Sequence, residues 1–431
     1  ITIGVNMTDT VMVGKLGETS LSATALANQF VNIYQICCMG IAMGASVLTS
    51  RFWGMQDITS LKKTITLMLR LCIVLAVLFM LPTILIPQLL MRMYTNDSAV
   101  IAQGVQYFKW MVYCYFLQGM TMTCTIVLRS VGQVNFPLFT SIGSFFVNIL
   151  FNYMFIFGRL GVPRMEVEGA GVGTLIARVF EFSLICGYFL FVDRKIGYRL
   201  KDLRMKCNSL IKDYVSISIP VFVSDSLLAL GTSAVAMVMG RIGTGFVSAN
   251  SITVVTQQLT TVIIQGICHA SCIMTGHTLG HGEREKAQQQ AWTFLILGLV
   301  VGILGGGLIK VLSRPIIGLY NITPETAQIA GELMDAIAFI VIFQSMNSIL
   351  TKGVLRGGGD TKFLMVADII FLWAASLPLG ILAGLVWHLD AFWIYVFLKI
   401  DQICKSIWCV FRLRSGKWIK TFSKEKMNHA Q

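Results

Sequence analysis

The chain has 431 residues, of which 55% are hydrophobic and only 13% are charged, and its formal net charge is +13. Soluble domains carry about 25% charged residues, so this composition excludes a soluble globular protein. A membrane-spanning helix needs roughly 20 mostly apolar residues. Several runs qualify, including 73–90, 294–312 and 363–387. The sequence therefore predicts a polytopic helical membrane protein.

The chain begins at Ile1, within an apolar stretch. A basic segment followed by an apolar run and a small-residue cleavage site would indicate a signal peptide, and this start lacks that pattern. We therefore expect no signal peptide, and we expect that the first part of the first helix is missing.

In chain order, the apolar pattern predicts twelve spans joined by short polar segments. The spans are 1–13, 24–49, 64–90, 105–128, 136–158, 167–192, 212–239, 247–276, 290–312, 328–351, 363–387 and 390–411.

The 34 Lys and Arg residues are distributed unevenly among the segments that join these spans. Most lie in alternate segments, above all in 193–211 and in the tail 412–431. The positive-inside rule makes such segments cytoplasmic, so both termini are predicted to be cytoplasmic in a multi-pass protein of the cell (inner) membrane. This topology explains the net charge without a nucleic-acid partner, and the tail is also expected to contact anionic membrane lipid.

The two halves of the chain repeat one design. GKLGETSLSA (14–23) aligns with GRIGTGFVSA (240–249), and VLRSVGQVNF (127–136) aligns with VLRGGGDTKF (354–363). Because each half has an even number of spans, the repeats are parallel and related by an axis along the membrane normal. The sequence predicts an N-lobe at 1–192, a cytoplasmic linker at 193–211, a C-lobe at 212–411 and a basic tail at 412–431. Such duplications are typical of transporters with a cavity between two rocking lobes.

Ionisable side chains are few inside the predicted spans. A charge at the bilayer centre costs at least about 2.5 kcal/mol, so each is expected to face a cavity or a partner. Arg178 and Glu181 lie three residues apart, and Asp401 and Lys405 lie four apart. Both spacings place the two side chains on one helix face. We predict that these four residues form structural charge pairs.

Asp9, Asn148, Asn152 and Thr174 form a different set, because no basic residue lies beside Asp9 in its own span. Asn148 and Asn152 are one helical turn apart and face one direction. A buried carboxylate without a basic partner either binds a metal cation or takes a proton. Amide oxygens, a hydroxyl and a carboxylate suit a hard cation. The pattern alone leaves open that Asn and Thr only join helices by hydrogen bonds.

Six segments, taken together in their order and spacing, resemble the multidrug and toxic compound extrusion (MATE) family of bacterial type. They are TDTVMVGKLG, LANQF, SRFWGMQD, LRSVGQV, NILFNYMFIFGRLGVPRMEVEGAGVGTLIAR and VLRGGGDTKF. The resemblance covers nearly the whole chain. It implies an all-α membrane protein with twelve helices in two six-helix lobes, which exports mostly cationic, amphipathic compounds in exchange for Na⁺ or H⁺.

The resemblance also implies a cation site in the N-lobe. The family's aspartate in the first helix falls on Asp9, its asparagine in the fifth helix on Asn148, and its threonine in the sixth helix on Thr174. Members of the DinF-like type have an aspartate where this chain has Asn152. That departure removes one negative charge, which disfavours tight Na⁺ binding and favours H⁺ coupling at Asp9.

In the C-lobe, the resemblance to the NorM-like branch points to Asp225. That branch has a glutamate in the seventh helix, whose place Asp225 takes, and an aspartate in the tenth helix. Near the second position this chain has Gln344 and Ser345, so the second acid is absent. We expect Asp225 to contribute to recognition of a cationic substrate or ion.

These expectations describe a monomeric antiporter without a cofactor, which works by alternating access and is coupled to H⁺ or Na⁺. One alternative is a flippase for lipids or lipid-linked saccharides with a related fold. Such a protein would favour a cavity lined by Arg and Lys, whereas basic residues within these spans are few and mostly beside acids. A membrane enzyme would need a catalytic constellation, and His269 is the only histidine well inside a predicted span.

Overall fold

A computed structural model describes residues 9, 12–158, 161, 163–318 and 322–420 of the chain. Within these residues, ten helices are long and apolar enough to cross a membrane. Two further predicted spans complete the twelve. Span 1–13 lies largely outside the described residues, and span 390–411 forms two helices that meet at Lys399. The predicted all-α membrane fold class is therefore confirmed.

The chain divides into two compact units, of which the first comprises Ile1–Thr49 and Ile58–Tyr214. We label the helical residues 9 and 12–14 α1. The other helices that contribute to this unit are α2 (Glu18–Gly54), α3 (Ile58–Leu85), α4 (Pro87–Arg92), α5 (Ser98–Ser130), α6 (Asn135–Phe157) and α7 (Glu166–Gly187), which continues as a π-helical turn at Tyr188–Val192. Only the part of α2 up to Thr49 belongs to this unit.

The predicted span 64–90 ends earlier than expected. The helix α3 stops at Leu85, and the chain restarts as the short helix α4, whose first residue is Pro87. Proline has no backbone N–H to continue a helix but fits well at the first helical position. The apolar run is thus split between two helices.

An aromatic core joins α2, α3 and α5 of this unit. The rings of Tyr34, Phe79 and Tyr115 lie 4.9–6.1 Å apart, and the Tyr34 hydroxyl donates a hydrogen bond of 2.5 Å to the Tyr115 carbonyl. Gly119 is needed at this crossing, because a Cβ there would lie 2.4 Å from the Tyr34 hydroxyl. This packing fixes the polar face of α2 relative to α5.

The segment 193–211, predicted as a linker, packs as an ordered part of the first unit. The Asp193 carboxylate is buried and accepts hydrogen bonds from the backbone N–H groups of Lys195 and Ile196. A 3₁₀ turn follows at Leu200–Arg204, and Asp202 forms a 2.9 Å ion pair with Lys62. Basic residues that were predicted to act only through topology therefore also hold this segment in place.

The second unit comprises Ser50–Asp57 and Val215–Gln431. The helices that contribute to it are α8 (Asn208–Ile242), α9 (Thr244–Gly280), α10 (Arg284–Gly318), α11 (Pro324–Ser348), α12 (Thr361–Asp368), α13 (Leu377–Ile381), α14 (Ala391–Leu398) and α15 (Ile400–Arg414). Only the part of α8 from Val215 onward belongs to this unit. A π-helical segment at Ile349–Leu355 extends α11. A second, at Ile369–Ser376, connects α12 to α13, and a third follows α13 at Leu382–Val386. The end of α2 belongs here because Gly54 touches α9, where a Cβ on Gly54 would lie 2.4 Å from the His277 carbonyl oxygen.

The tail predicted to begin at residue 412 is partly folded. The helix α15 continues to Arg414, and Trp418 is completely buried with its indole N–H donating 2.7 Å to the Gln288 side chain. Asp360 forms an ion pair of 2.7 Å with Arg412 and one of 3.3 Å with Lys420. Residues 412–420 therefore pack against the second unit, and the rest of the predicted tail lies outside the described residues.

Candidate ion and substrate site

A polar cavity of about 270 Å³ lies within the first unit, between α1, α2, α5, α6 and α7. Small-molecule sites are usually about 300–1,000 Å³, so this volume is at their lower edge. The wall combines apolar groups with many polar ones. The polar lining residues are Thr24, Asn28, Asn32, Gln35 and Gln118, together with Asp9, Tyr107, Ser141, Ser144, Asn148, Thr174, Arg178 and Glu181.

Asp9 is held at the cavity by the two asparagines of α6. Asn152 Nδ2 donates a hydrogen bond of 2.6 Å to Asp9 Oδ1 and a second of 3.2 Å to Asn148 Oδ1. Both asparagines are buried, and their spacing of four residues places them on one face of α6. Asn148 lines the cavity, whereas Asn152 lies behind the carboxylate of Asp9.

The position of Asn152 depends on close contact between α6 and α7. A Cβ on Gly169 would lie 2.6 Å from the Phe155 backbone, and one on Gly173 would lie 2.1 Å from Asn152 Oδ1. Small residues of this kind let helices approach closely in a membrane. The glycines of α7 therefore allow Asn152 to pack between the two helices and reach Asp9.

The side-chain oxygen of Asn152, Oδ1, is the unusual feature of this site. It is buried and accepts no hydrogen bond within the described residues. Buried polar atoms nearly always have a partner, so an unpartnered acceptor calls for an explanation. Rotation of the amide would turn Oδ1 toward Asp9, and two acceptors can face each other only when a proton or cation lies between them.

Thr174 lines the same cavity from α7, so the structure brings the four predicted N-lobe residues to one place. A carboxylate, amide oxygens and a hydroxyl form a hard-oxygen donor set. The arrangement is chemically suited to a proton or to a small hard cation such as Na⁺.

Arg178 and Glu181 face this cavity as well. Arg178 Nη1 lies 2.8 Å from Glu181 Oε2, and their side chains are 26% and 14% exposed. The Arg178 guanidinium also interacts electrostatically with Asp9. The pair was predicted to be structural, and Asp9 was predicted to lack a basic neighbour in its own span. The structure supplies one from α7, a relation that spacing along the chain could not reveal.

Residues 1–154 and 220–403 match the model of the MatE family. The chain belongs to the MatE family. The resemblance to multidrug and toxic compound extrusion transporters is thereby confirmed, and this chain is a multi-pass membrane transporter of that family.

Two curated relatives of this MatE chain align over nearly its full length. The uncharacterized transporter YisQ of Bacillus subtilis (strain 168) is 24% identical over 419 residues, which cover 96% of this chain and 90% of that protein. A probable multidrug resistance protein NorM of Thermotoga maritima is 24% identical over 420 residues, covering 96% and 89%. These relatives are transporters and not enzymes.

Solved structures share the fold of this MatE chain. The Vibrio cholerae MATE transporter VcmN in its bent form gives a TM-score of 0.87 at 16% identity, covering 96% of this chain and 92% of that one. A MOP superfamily transporter from Pyrococcus furiosus gives 0.83 at 19% identity, covering 97% and 92%. At such identities the likeness shows the fold alone, and it confirms the predicted MATE-like architecture.

Polar residues of α2 and α5 were missed by sequence analysis of this MatE chain. Asn28, Asn32 and Gln35 line the cavity, and Asn28 Oδ1 accepts a 3.2 Å hydrogen bond from the Tyr107 hydroxyl. A signal was present, because amides at spacings of four and three residues recur on one helix face within the predicted span 24–49. These three uncharged amides were not among the predicted site residues.

In the second unit, Asp225 has a basic partner. Arg356 Nη2 lies 2.9 Å from Asp225 Oδ1, and the Arg356 side chain is only 6% exposed against 20% for Asp225. Arg356 was predicted to lie in the segment between two spans, whereas the structure places it at the end of the π-helical extension of α11 with its side chain buried. The role of Asp225 in cation recognition stays a prediction, now for an acid whose charge is compensated.

Asp225→Asn is expected to lower stability, because Arg356 would keep its buried charge and lose its carboxylate. Hydrogen bonds to charged groups contribute about 1.5–3 kcal/mol, and partial exposure of Asp225 places this case near the lower end. Thermal unfolding of the purified protein in detergent measures the effect. The double variant Asp225→Asn/Arg356→Met should recover part of the loss, whereas a single variant as stable as the wild type would contradict the importance of the pair.

The predicted pair Asp401 and Lys405 belongs to a larger buried network. Lys405 Nζ lies 3.0 Å from Asp401 Oδ2 and also 3.0 Å from Asp368 Oδ1. The hydroxyl of Ser224 donates to the second oxygen of Asp368. Gln402 Nε2 donates 2.7 Å to Asp401 Oδ2. Asp368, the second acid, was not predicted as a partner of Lys405 because it lies on another helix, α12.

Proposed function

We propose that this transporter is a cation-coupled antiporter that exports amphipathic, mostly cationic compounds, with H⁺ as the coupling ion at Asp9. The observation that carries the proposal is the carboxylate of Asp9 facing a polar cavity and hydrogen-bonded to Asn152. The relatives named as probable multidrug resistance proteins support the class of substrate.

The cavity suits an amphipathic cation in its composition. Its lining carries two acids, Asp9 and Glu181, against one base, Arg178, together with apolar side chains such as Val31 and Met111. Apolar contacts hold the body of such a substrate, and polar groups orient it. A flippase for lipid-linked saccharides would instead favour a basic lining, so the balance of charge supports export of cations.

Coupling follows from differential affinity for two states. In the proposed cycle, the outward-open protein takes H⁺ at Asp9, which neutralises the carboxylate and changes the packing around α1. The substrate is released, and the inward-open protein loses the ion and takes a new substrate. An ion drives such an exchange only because its affinity differs between the states.

Asn152 favours H⁺ over Na⁺ in this proposal. Its Nδ2 points at Asp9 as a hydrogen-bond donor, so it acts as a partner of the carboxylate and not as a metal ligand. The set then offers Na⁺ one formal negative charge, and the affinity of hard cations rises with ligand charge. A proton needs only the carboxylate.

Dye efflux from proteoliposomes under separate gradients tests the coupling ion. The wild type is expected to export a cationic dye under a pH gradient and to respond weakly to a Na⁺ gradient. Asn152→Asp should shift the dependence toward Na⁺, because a second carboxylate raises the charge of the donor set. Asn135→Asp, at the exposed first residue of α6, is the matched control and should leave the ion preference unchanged. Full transport under Na⁺ and none under a pH gradient would refute H⁺ coupling.

The proposal also includes topology and assembly. The concentration of basic residues in 193–211 and near the C-terminus supports a cytoplasmic C-terminus in the inner membrane. The protein acts as a monomer, since the proposed cycle needs only one chain. Labelling of single cysteines from each side of the membrane, and the mass of the detergent-solubilised protein, test these two points.

A further inference from the structure

Three charged side chains line the cavity of the first unit. Asp9 is held by Asn152, while Arg178 is bonded to Glu181 over 2.8 Å on the same wall. Arg178 lines the same cavity as Asp9 and is the one base in a lining that carries two acids. An arginine side chain is long and flexible, and its guanidinium offers several donors to carboxylates.

Other titratable and charged groups around these three come from α5. Arg129 interacts electrostatically with Glu181, Tyr107 with Asp9, and Cys114 with Arg178. Arg129 is not part of the cavity lining. Protonation of Asp9 raises the net charge of these cavity groups by one, whether or not the neighbours on α5 are included.

Resting on the proposed function, we propose that Arg178 is a tethered counter-cation that moves between Glu181 and Asp9, and that Glu181 is the anchor for the cationic group of the substrate. When Asp9 is ionised, Arg178 turns to it and leaves the Glu181 carboxylate to the substrate. When Asp9 takes a proton from solvent, Arg178 returns to Glu181 and displaces the substrate.

This exchange makes the proton and the substrate compete although they bind to different carboxylates. The side chain of Glu181 is only 14% exposed, so a carboxylate without a cation there is costly, and one of two cations must occupy it. The present structure shows the arrangement with Arg178 on Glu181. In this scheme, Asp9 binds the proton and Arg178 changes its carboxylate partner in response. Glu181 binds the cationic group of the substrate and so determines specificity.

Equilibrium binding of tetraphenylphosphonium to the purified full chain tests this exchange at high and low pH. The wild type is expected to bind the probe about tenfold more weakly at low pH, equivalent to about 1.4 kcal/mol. Glu181→Gln should weaken binding at high pH by about tenfold, and Glu181→Asp should restore part of it. Arg178→Met should bind at least as tightly as the wild type at low pH, with a pH dependence reduced to about threefold or less.

The matched control is another i,i+3 pair, Glu283 and Lys286, whose side chains are 48% and 60% exposed. Glu283→Gln should leave both the affinity and its pH dependence unchanged. A purely structural role for the cavity pair would lower thermal stability without changing the Kd of the folded protein, and that result would overturn the inference. If the wild type neither binds the probe nor exports it under either gradient, the proposed function itself fails first, and this inference fails with it.

Discussion

Asp9→Asn is expected to abolish coupled export while leaving the protein folded in the membrane. Asparagine is nearly isosteric with aspartate and still offers an acceptor oxygen to Asn152 Nδ2, which now lies 2.6 Å from Asp9 Oδ1. It cannot take or release a proton, so the two states no longer differ in ion affinity. The pH gradient then cannot drive the transport cycle. Dye efflux driven by a pH gradient should fall to the level of liposomes without protein.

The neutral side chain has a second consequence through Arg178. With no charge at position 9, the guanidinium has only Glu181 to pair with, which is the arrangement expected for the loaded protein. Asp9→Asn should therefore also weaken binding of cationic substrates, in addition to the loss of transport. Weaker substrate binding would distinguish this variant from one in which only the rate of transport is reduced.

Glu283→Gln is the matched control for this substitution. Glu283 forms an ion pair with Lys286 in a segment between two predicted spans, and the two side chains are 48% and 60% exposed. Exposed pairs contribute about 0–1 kcal/mol and carry no ion across the membrane, so export should remain at the wild-type rate. Cells that express Asp9→Asn at normal levels and keep full resistance to cationic dyes would contradict the assignment of Asp9.

The sequence was sufficient for the parts of the fold that depend on local pattern. Long apolar runs predicted the spans, and the repeated motifs predicted two six-helix halves. Boundaries were less predictable where the chain changes helix type, as in the π-helical extension that moves Arg356 from an expected loop to a buried position. A hydrophobicity pattern records the length of a span but not the hydrogen-bonding period within it.

The candidate site shows the same division between local and long-range information. Asn148 and Asn152 could be placed together because four residues separate them on one helix. Arg178 could not be placed near Asp9, since their meeting depends on how α1 and α7 pack around the cavity. The glycines of α7 that permit this packing were part of the family motif, but their spacing alone did not say which side chains they bring together.

Lys405→Met is expected to destabilise the second unit strongly, and it is the largest structural effect we predict. Lys405 is only 2% exposed and pairs at 3.0 Å with both Asp368 and Asp401, which are 8% and 1% exposed. Removal of one partner from a buried ion pair typically costs about 3–5 kcal/mol, because it leaves an uncompensated charge. Here two carboxylates would lose one cation.

The contrast with Asp9 explains why we assign this network to stability and not to coupling. Each carboxylate oxygen of Asp368 and Asp401 has a donor, from Lys405, Ser224, Gln402 or Ser376. A fully satisfied polar network favours one arrangement and is costly to disturb. The carboxylate of Asp9 instead faces a cavity, and the buried amide oxygen of Asn152 beside it accepts no hydrogen bond within the described residues.

Thermal unfolding of the purified chain in detergent, together with the amount of protein in the membrane, measures the effect of Lys405→Met. The control Lys286→Met removes an exposed lysine from its pair with Glu283, between two predicted spans, and should change stability by about 0–1 kcal/mol. Neutralising the acids as well, in Lys405→Met/Asp368→Asn/Asp401→Asn, should recover much of the loss, because the two carboxylates that Lys405 compensates are then uncharged. If the single variant unfolds at the same temperature as the wild type, the network does not stabilise the second unit. If the triple variant is less stable than the single one, unpaired carboxylates are not the source of the instability.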